Sequence, residues 1–151
     1  ASKKNYKFKK KNFQKLFKKE KNKLSKKNLI QFKNNVVKAK LNNIKMLSGI
    51  INKNKTIYGI SAPSRATTLI NYFGLNEDII KCVLEIKGSH KIGKCIPGTK
   101  IPILEESIKK LKNADYLYLF SWHIFKDLIK SIKSKGYSGK FIVPLPSPRI
   151  I

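Results

Sequence analysis

The spacing of apolar residues divides the chain into a helical first third and an alternating remainder. From about Lys27 to Ile51, apolar residues recur at steps of three and four, which predicts an amphipathic helix used for packing. A shorter helix with a narrow apolar face is predicted before it, formed around Phe13, Leu16, Phe17 and Leu24. Residues 1 to about 10 are Lys-rich with scattered aromatics, and we expect them to be frayed or disordered.

Beyond Lys55, short apolar runs alternate with amphipathic segments, which is the pattern of strands followed by helices. The predicted strands are Thr56–Ile60, Ile80–Ile86, Ile101–Leu104, Tyr116–Phe120 and Lys140–Val143. The predicted helices between them are Ala66–Tyr72, Glu105–Asn113 and Ile124–Lys135. Strands that alternate with helices imply an α/β fold with a mostly parallel sheet and helices on both faces, here preceded by an N-terminal helical segment.

Two of these strands have features that indicate their place in the sheet. Tyr116–Phe120 is wholly apolar, which is typical of a buried central strand. Pro97 and Pro102 keep the Ile101–Leu104 region out of the sheet interior, because proline cannot donate a ladder hydrogen bond. Residues 87–98 before it hold three glycines and are predicted to be a loop.

The length of 151 residues predicts one domain, at 28–151, after a basic linker or helical segment at 1–27. No apolar run approaches the roughly 20 residues of a transmembrane helix, and the basic N-terminus has no apolar run typical of a signal peptide. The two cysteines, Cys82 and Cys95, are too few for a disulfide framework or a metal site. We therefore expect a cytoplasmic domain with no metal and no membrane contact.

The net charge of +26 favours polyanionic partners, but it is concentrated in the first third of the chain. Residues 1–55 have a net charge of +18 and residues 56–151 a net charge of +8. The abundance of Lys, Asn and Ile suggests a bias towards AT-rich codons. Because Arg-rich or aromatic-interleaved stripes are lacking, we expect only non-specific binding of nucleic acid at low salt.

The most informative run follows the first predicted strand, where a loop of small residues, Ser61-Ala62-Pro63-Ser64, leads through Arg65 into a helix. Such a strand–loop–helix unit directs backbone N–H groups and a helix N-terminus at an anion, and small side chains let the backbone approach it. Only Arg65 and Arg149 are arginine among 34 Lys and Arg residues, which suggests that the planar, bidentate guanidinium is needed. The run therefore predicts a phosphate or sugar-phosphate site, with chance or structural pairing of Arg65 as the alternative.

Other polar residues lie at the predicted strand ends, where ligands of such sheets bind. Thr67 and Thr68 are predicted to cap the helix and to touch phosphate. Glu85 is positioned to accept hydrogen bonds from sugar hydroxyls, or else is solvated or paired with lysine. Trp122 either stacks on a base or sugar ring or plugs the core, and His123 is an acid or base, a hydroxyl partner or a helix cap. We predict no metal ligands and no catalytic residue among them.

Three ordered blocks resemble the C-terminal domain of the sugar-nucleotide C-methyltransferases, which depend on S-adenosylmethionine. The blocks are the run from Tyr58 to Tyr72, the run Lys91-Ile92-Gly93-Lys94-Cys95-Ile96-Pro97-Gly98-Thr99-Lys100-Ile101-Pro102-Ile103, and Ser121-Trp122-His123 together with Lys140-Phe141-Ile142-Val143-Pro144-Leu145-Pro146. Their order and spacing agree with the family over about Asn28 to Ile151.

The resemblance implies a Rossmann-like domain that binds a nucleotide-sugar opposite a separate methyltransferase domain, in cis or in trans, that holds S-adenosylmethionine. Arg65 replaces a family lysine and keeps the cation, and Glu85 stands where the family usually has Asp. Lys91 and Lys94 align with family lysines and so join the expected substrate-binding residues. Ala66 replaces a glycine and His123 an asparagine.

The family's upstream zinc-binding cysteines and its donor-binding glycine motif are not found in this sequence, and the first residue is alanine. We therefore expect an excised piece of a longer protein that holds no cofactor and is inactive alone. Two alternatives stay open: a freestanding module that binds a phosphorylated ligand, and a Lys-rich nucleic-acid-binding protein. The sequence does not indicate the oligomeric state.

Overall fold

A computed structural model describes the backbone from residue 10 to residue 151 and the side chains from residue 12 onward. The expectation of disorder for residues 1 to about 10 concerns a segment that lies outside these residues, apart from its last position. The described chain divides into two compact units, one ending at Val37 and the other comprising Lys38–Ile151.

The first unit consists of helix α1, Lys10–Lys23, and the beginning of helix α2, Lys26–Ile51. Both helices predicted for this part of the sequence are confirmed. The large apolar side chains of this unit are exposed, for example Leu16 and Phe32 at 60% and 68%. Within its described residues no side chain is buried. The four apolar residues around which α1 was predicted are all exposed, and the width of its apolar face stays a prediction.

The second unit is built on one six-stranded sheet with the order β3-β2-β1-β4-β5-β6. The strands are β1 Ile57–Ile60, β2 Val83–Glu85, β3 Ile103–Glu105, β4 Tyr116–Leu119, β5 Lys140–Val143 and β6 Arg149–Ile150. The first five are parallel, and β6 runs antiparallel to β5. This confirms the mostly parallel sheet, a central β4 and a β3 at the edge, while β6 was not predicted.

Helices pack on both faces of the sheet, as predicted. The end of α2 and helix α3, Ser64–Phe73, cover one face, where Leu47, Ile70 and Phe120 belong to one buried cluster. Helices α4, Ile108–Lys112, and α5, Phe125–Ser134, cover the other face through Leu111 and Ile132. Because both faces are covered, the central strands are apolar throughout.

Three predicted boundaries differ from the observed ones for local reasons. Strand β2 is shorter than predicted because the carbonyl of Asn76 accepts the N–H groups of Ile79 and Ile80, which forms a turn before it. Helix α4 begins later than predicted because Ser107 caps it by accepting the N–H of Lys110. Helix α3 ends at Phe73, one residue later than predicted, because Gly74 caps it with a left-handed φ of 73°, which suits glycine.

The connection from β2 to β3 is a loop that folds back along β3. The N–H of Gly93 donates to the carbonyl of Ile103, and the N–H of Ile103 donates to that of Lys94, at 3.0 and 2.7 Å. This pairing covers the outer side of the edge strand and places the exposed Cys95 in a bridge with Pro102. Among the helices of residues 10–151, none is long and apolar enough to cross a membrane.

Asn43 of α2 is a fully buried polar residue that the sequence reading missed. Its Nδ2 donates to the carbonyls of Ala39 and Pro144 at 2.8 and 3.0 Å, and its Oδ1 accepts the hydroxyl of Tyr118 at 2.8 Å. Each polar atom of the side chain has a partner, so its burial costs little. The residue ties α2 to the middle of β4 and to the end of β5. A polar position within the apolar stripe of α2 was the available signal.

Candidate functional site

The strand order reverses between β1 and β4, where the chain leaves β1 towards one face of the sheet and β4 towards the other. Ligands of open α/β sheets bind in the crevice at such a point, beyond the carboxyl ends of the strands. Ser61 follows β1, and Ser121 follows Phe120 just after β4. Their hydroxyl oxygens are 2.7 Å apart and share a hydrogen bond. The predicted loop of small residues therefore lies at the reversal point.

Ser61 adopts a left-handed conformation with a φ of 60°, which is unfavourable for a residue with a side chain. Its hydroxyl donates to the carbonyl of Ile60 at 2.7 Å, and its oxygen can at the same time accept the hydroxyl of Ser121. Its N–H donates to the carbonyl of Leu84 in β2 at 2.9 Å. These contacts hold the sharp turn by which the chain leaves β1.

Helix α3 begins at Ser64, two residues earlier than predicted, with Pro63 at the N-cap position and no capping side chain. The predicted cap by Thr67 or Thr68 is therefore wrong, because both lie after the first three residues of the helix. The earlier start places Arg65 in the first turn. The N–H groups of Ser64 and Arg65 precede the first bonded N–H, that of Ala66, and point out of the helix end.

Glu85 and Lys91 both contact the backbone of Ala62. The N–H of Ala62 donates to Oε2 of Glu85 at 2.5 Å, and Nζ of Lys91 donates to the carbonyl of Ala62 at 2.7 Å. Both side chains are half-buried. The N–H of Ala62, which we expected to face phosphate, is thus taken by a carboxylate of the protein. Lys94 is exposed, and its backbone donates to the carbonyl of Lys91 and accepts the N–H of Ile103 in β3.

Trp122 and His123 form a short 3₁₀ helix, Trp122–Ile124, directly after Ser121. Trp122 is half-buried and packs against the apolar clusters of both sheet faces, so it does close the top of the core. The guanidinium carbon of Arg65 lies 5.9 Å from the centre of its ring, which places the two side chains together across the reversal point. His123 is exposed, with its ring edge-on to the indole.

The second of the three sequence blocks, the run from Lys91 to Ile103, also has a structural role. Nδ2 of Asn71 in α3 donates to the carbonyls of Thr67 and Pro97 at 2.8 and 2.9 Å. Gly98 has a φ of 82°, and a side chain there would collide with Asn71. The block therefore fastens the β2–β3 loop to α3, away from the strand ends.

The opposite, amino end of the sheet holds a cavity of about 650 Å³ lined by Lys55, Lys112, Ala114, Asp115, Tyr116, Tyr137, Ser138, Gly139 and Lys140. Asp115 accepts the N–H of Thr56 at 2.8 Å and the ammonium of Lys55 at 3.0 Å. The bond from Thr56, followed by that from Lys55, lowers the pKa of Asp115. No residue predicted for the site lines this cavity.

Two further features limit the chemistry of the described residues. Burial raises the pKa of the Cys82 thiol to about 11, so it is neutral at physiological pH. Over the part of the chain that the structure describes, no three His, Cys, Asp or Glu residues lie close enough together to hold a metal ion. The described residues at the reversal point thus combine backbone N–H groups with the guanidinium of Arg65, the indole of Trp122 and the exposed imidazole of His123, while Glu85 and Lys91 bond to the backbone of Ala62.

Comparison with known proteins gives two findings. Residues 1–146 match the family model described as the C-methyltransferase C-terminal domain. The chain is 31% identical over 107 residues to C-methyltransferase NovU of Streptomyces niveus, a stretch that covers 70% of this chain and 25% of that protein. The matched part thus spans about a quarter of the relative's length. The chain belongs to the family of C-methyltransferase C-terminal domains.

Proposed function

We propose that this domain binds a nucleotide-sugar at the carboxyl end of its sheet and presents it to a separate domain that transfers the methyl group. The observation that supports this most is Arg65 in the first turn of α3, beside Trp122 at the reversal point. A guanidinium and the free N–H groups of a helix start bind a diphosphate well, and an indole next to them suits a base or sugar ring.

The task of the domain is to hold the substrate in place. Restricting the position and orientation of one reactant lowers the entropic part of the barrier for transfer. The N–H groups of Ser64 and Arg65 and the Arg65 side chain hold the diphosphate, while Trp122 and His123 bound the rim. S-adenosylmethionine supplies the methyl group in the parent enzyme, and we place it in the other domain because the loop after β1 contains no glycine and its Ala62 N–H is occupied.

Calorimetric titration of the chain with dTDP-glucose tests this proposal at physiological salt. We expect binding of dTDP-glucose without binding of S-adenosylmethionine. Arg65→Ala should weaken it by about 10- to 100-fold, the scale of a lost charged hydrogen bond. Lys112→Ala, which removes the same charge at the amino end of the sheet, is the matched control and should leave the affinity unchanged.

Three outcomes would contradict the proposal. An Arg65→Ala variant with the wild-type affinity would remove the diphosphate assignment. Salt-dependent binding of a short DNA duplex, without binding of dTDP-glucose, would mean that the basic first unit is the functional part. Failure of the chain to bind the nucleotide-sugar in any of these titrations would show that this domain does not bind the substrate by itself.

A further inference from the structure

The loop Ser61–Ser64 is held by two oppositely charged side chains that reach it from different elements. Glu85 is the last residue of β2, and Lys91 lies in the loop between β2 and β3. They bond to the N–H and the carbonyl of one residue, Ala62. The ion pairs in the described part of the chain are Lys55–Asp115 and Lys135–Glu106. Glu85 and Lys91 therefore form no ion pair with each other, and both bond to the Ala62 backbone instead.

We propose that Glu85 and Lys91 are positioning residues, which fix the Ala62 backbone so that the N–H groups of Ser64 and Arg65 face the ligand. The inference rests on the proposed function and replaces the direct ligand contacts that the sequence suggested for both side chains. Each side chain already has one bond to the protein, from Oε2 of Glu85 at 2.5 Å and from Nζ of Lys91 at 2.7 Å.

The loop needs such support because its conformation is unfavourable by itself. Ser61 has a left-handed backbone, and no side chain caps α3 at Pro63. Without Glu85 and Lys91, the polar backbone groups of Ala62 would turn towards water, and the first turn of α3 would turn with them. Bonds to charged groups are the strongest that such a loop can use to keep one conformation before the ligand arrives.

A ligand-binding role and a positioning role make opposite predictions for a probe that has no hydroxyl groups. Inorganic pyrophosphate presents only its anionic oxygens, so a carboxylate that binds sugar hydroxyls contributes nothing to its binding. Replacing the Glu85 side chain by alanine should then leave pyrophosphate binding unchanged or make it stronger, because the repulsion is lost. If Glu85 positions the loop, the same change should weaken binding.

The experiment is an NMR titration of the full chain with inorganic pyrophosphate. We expect Glu85→Ala and Lys91→Met each to weaken binding about tenfold, the scale of one charged hydrogen bond. Glu85→Gln, whose amide oxygen still accepts the N–H of Ala62, should retain most of the affinity and is the conservative control. Glu85→Met, which keeps the length of the side chain without an acceptor oxygen, serves as the measurement if the alanine variant folds poorly. Lys87→Met, at an exposed lysine of the same loop, is the charge control.

Two further readouts separate positioning from direct contact. The double variant Glu85→Ala/Lys91→Met should lose no more affinity than the weaker-binding single variant, because both act through one loop conformation. Exchange of the Ala62 amide proton should accelerate in Glu85→Ala. Unchanged or tighter pyrophosphate binding by Glu85→Ala would overturn the inference and leave the proposed function standing. Lack of binding by the wild-type chain would overturn both.

Discussion

At the amino end of the sheet, Asp115 accepts the N–H of Thr56 just before β1, and at the carboxyl end Glu85 accepts the N–H of Ala62 just after it. Each end also has a cation near an aromatic ring at about the same distance: Lys140 lies 6.0 Å from Tyr116, and Arg65 lies 5.9 Å from Trp122. The two ends thus contain the same kinds of polar contact. Their side chains alone do not explain why ligands should prefer one of them.

The difference lies in the backbone. Helices α2 to α5 all finish at the amino end, where their carbonyls carry partial negative charge. Helices α3, α4 and α5 begin at the carboxyl end, and α3 begins there with free N–H groups, whereas the first N–H of α5 donates to the carbonyl of Trp122. Lys112 lies in the last turn of α4 and is therefore attracted to its own helix. Arg65 lies in the first turn of α3, beside donors that repel it and attract an anion. We therefore expect a specific anion site at this one arginine of a lysine-rich chain.

The largest effect on stability should come from Asn43, which belongs to neither end. Asn43→Ala leaves the hydroxyl of Tyr118 and the carbonyl of Pro144 buried without this partner, so we expect a loss of about 2–4 kcal/mol in the free energy of unfolding. Urea unfolding followed by circular dichroism measures it, with Asn42→Ala, at the exposed neighbour, as the control. Equal stability of the two variants would contradict the role given to this network.

The next effect should appear in binding and only at the carboxyl end. Trp122→Ala removes the ring beside Arg65, and we expect about tenfold weaker binding of dTDP-glucose, the scale of one lost stacking contact. Trp122→Phe keeps an aromatic face and should lose less. If both variants bind like the wild type, the indole serves the core alone and the two ends differ less than we propose.

The smallest effect should come from Asp115 and should depend on pH. Because its pKa is lowered in the folded state, its contribution is fully present above its usual pKa of about 3.9 and is lost as the pH falls through the lowered value. Asp115 is partly exposed, so Asp115→Asn should cost less than about 1 kcal/mol at pH 7. Thermal melts from pH 7 to pH 3 should show the two proteins converging, with unchanged binding of dTDP-glucose at pH 7. A constant difference would contradict this.

Most of the second unit was predictable because its local sequence patterns agree with the strands and helices that they form. The apolar runs identify five of the six strands, and the prolines place β3 at the edge. Strand β6 has only two residues and gains its hydrogen bonds from β5, so no local pattern predicts it. The wrong capping assignment arose because a Pro at the N-cap position allows α3 to start before the apolar periodicity becomes visible.

The sequence predicted where the residues of the candidate site lie in the fold, but not which groups they contact. Arg65 and Trp122 each lie at a predicted strand end, and their proximity follows once the strand order is known. The bonds of Glu85 and Lys91 to Ala62 join positions 23 and 29 residues apart, and they depend on the path of a loop that has no periodicity. A charged residue at a strand end looks the same in sequence whether it binds a ligand or holds a backbone.

The buried bond from Asn43 to Pro144 has a consequence for how the domain is made, because it spans 101 positions. During synthesis α2 is made before β5, so the amide of Asn43 gains its acceptor on Pro144 only after a further 101 residues have been added. A chain cut before Lys140 lacks both this acceptor and β5, the strand beside β4. Incomplete chains should therefore be more sensitive to proteases than complete chains, in which the Asn43 network is formed.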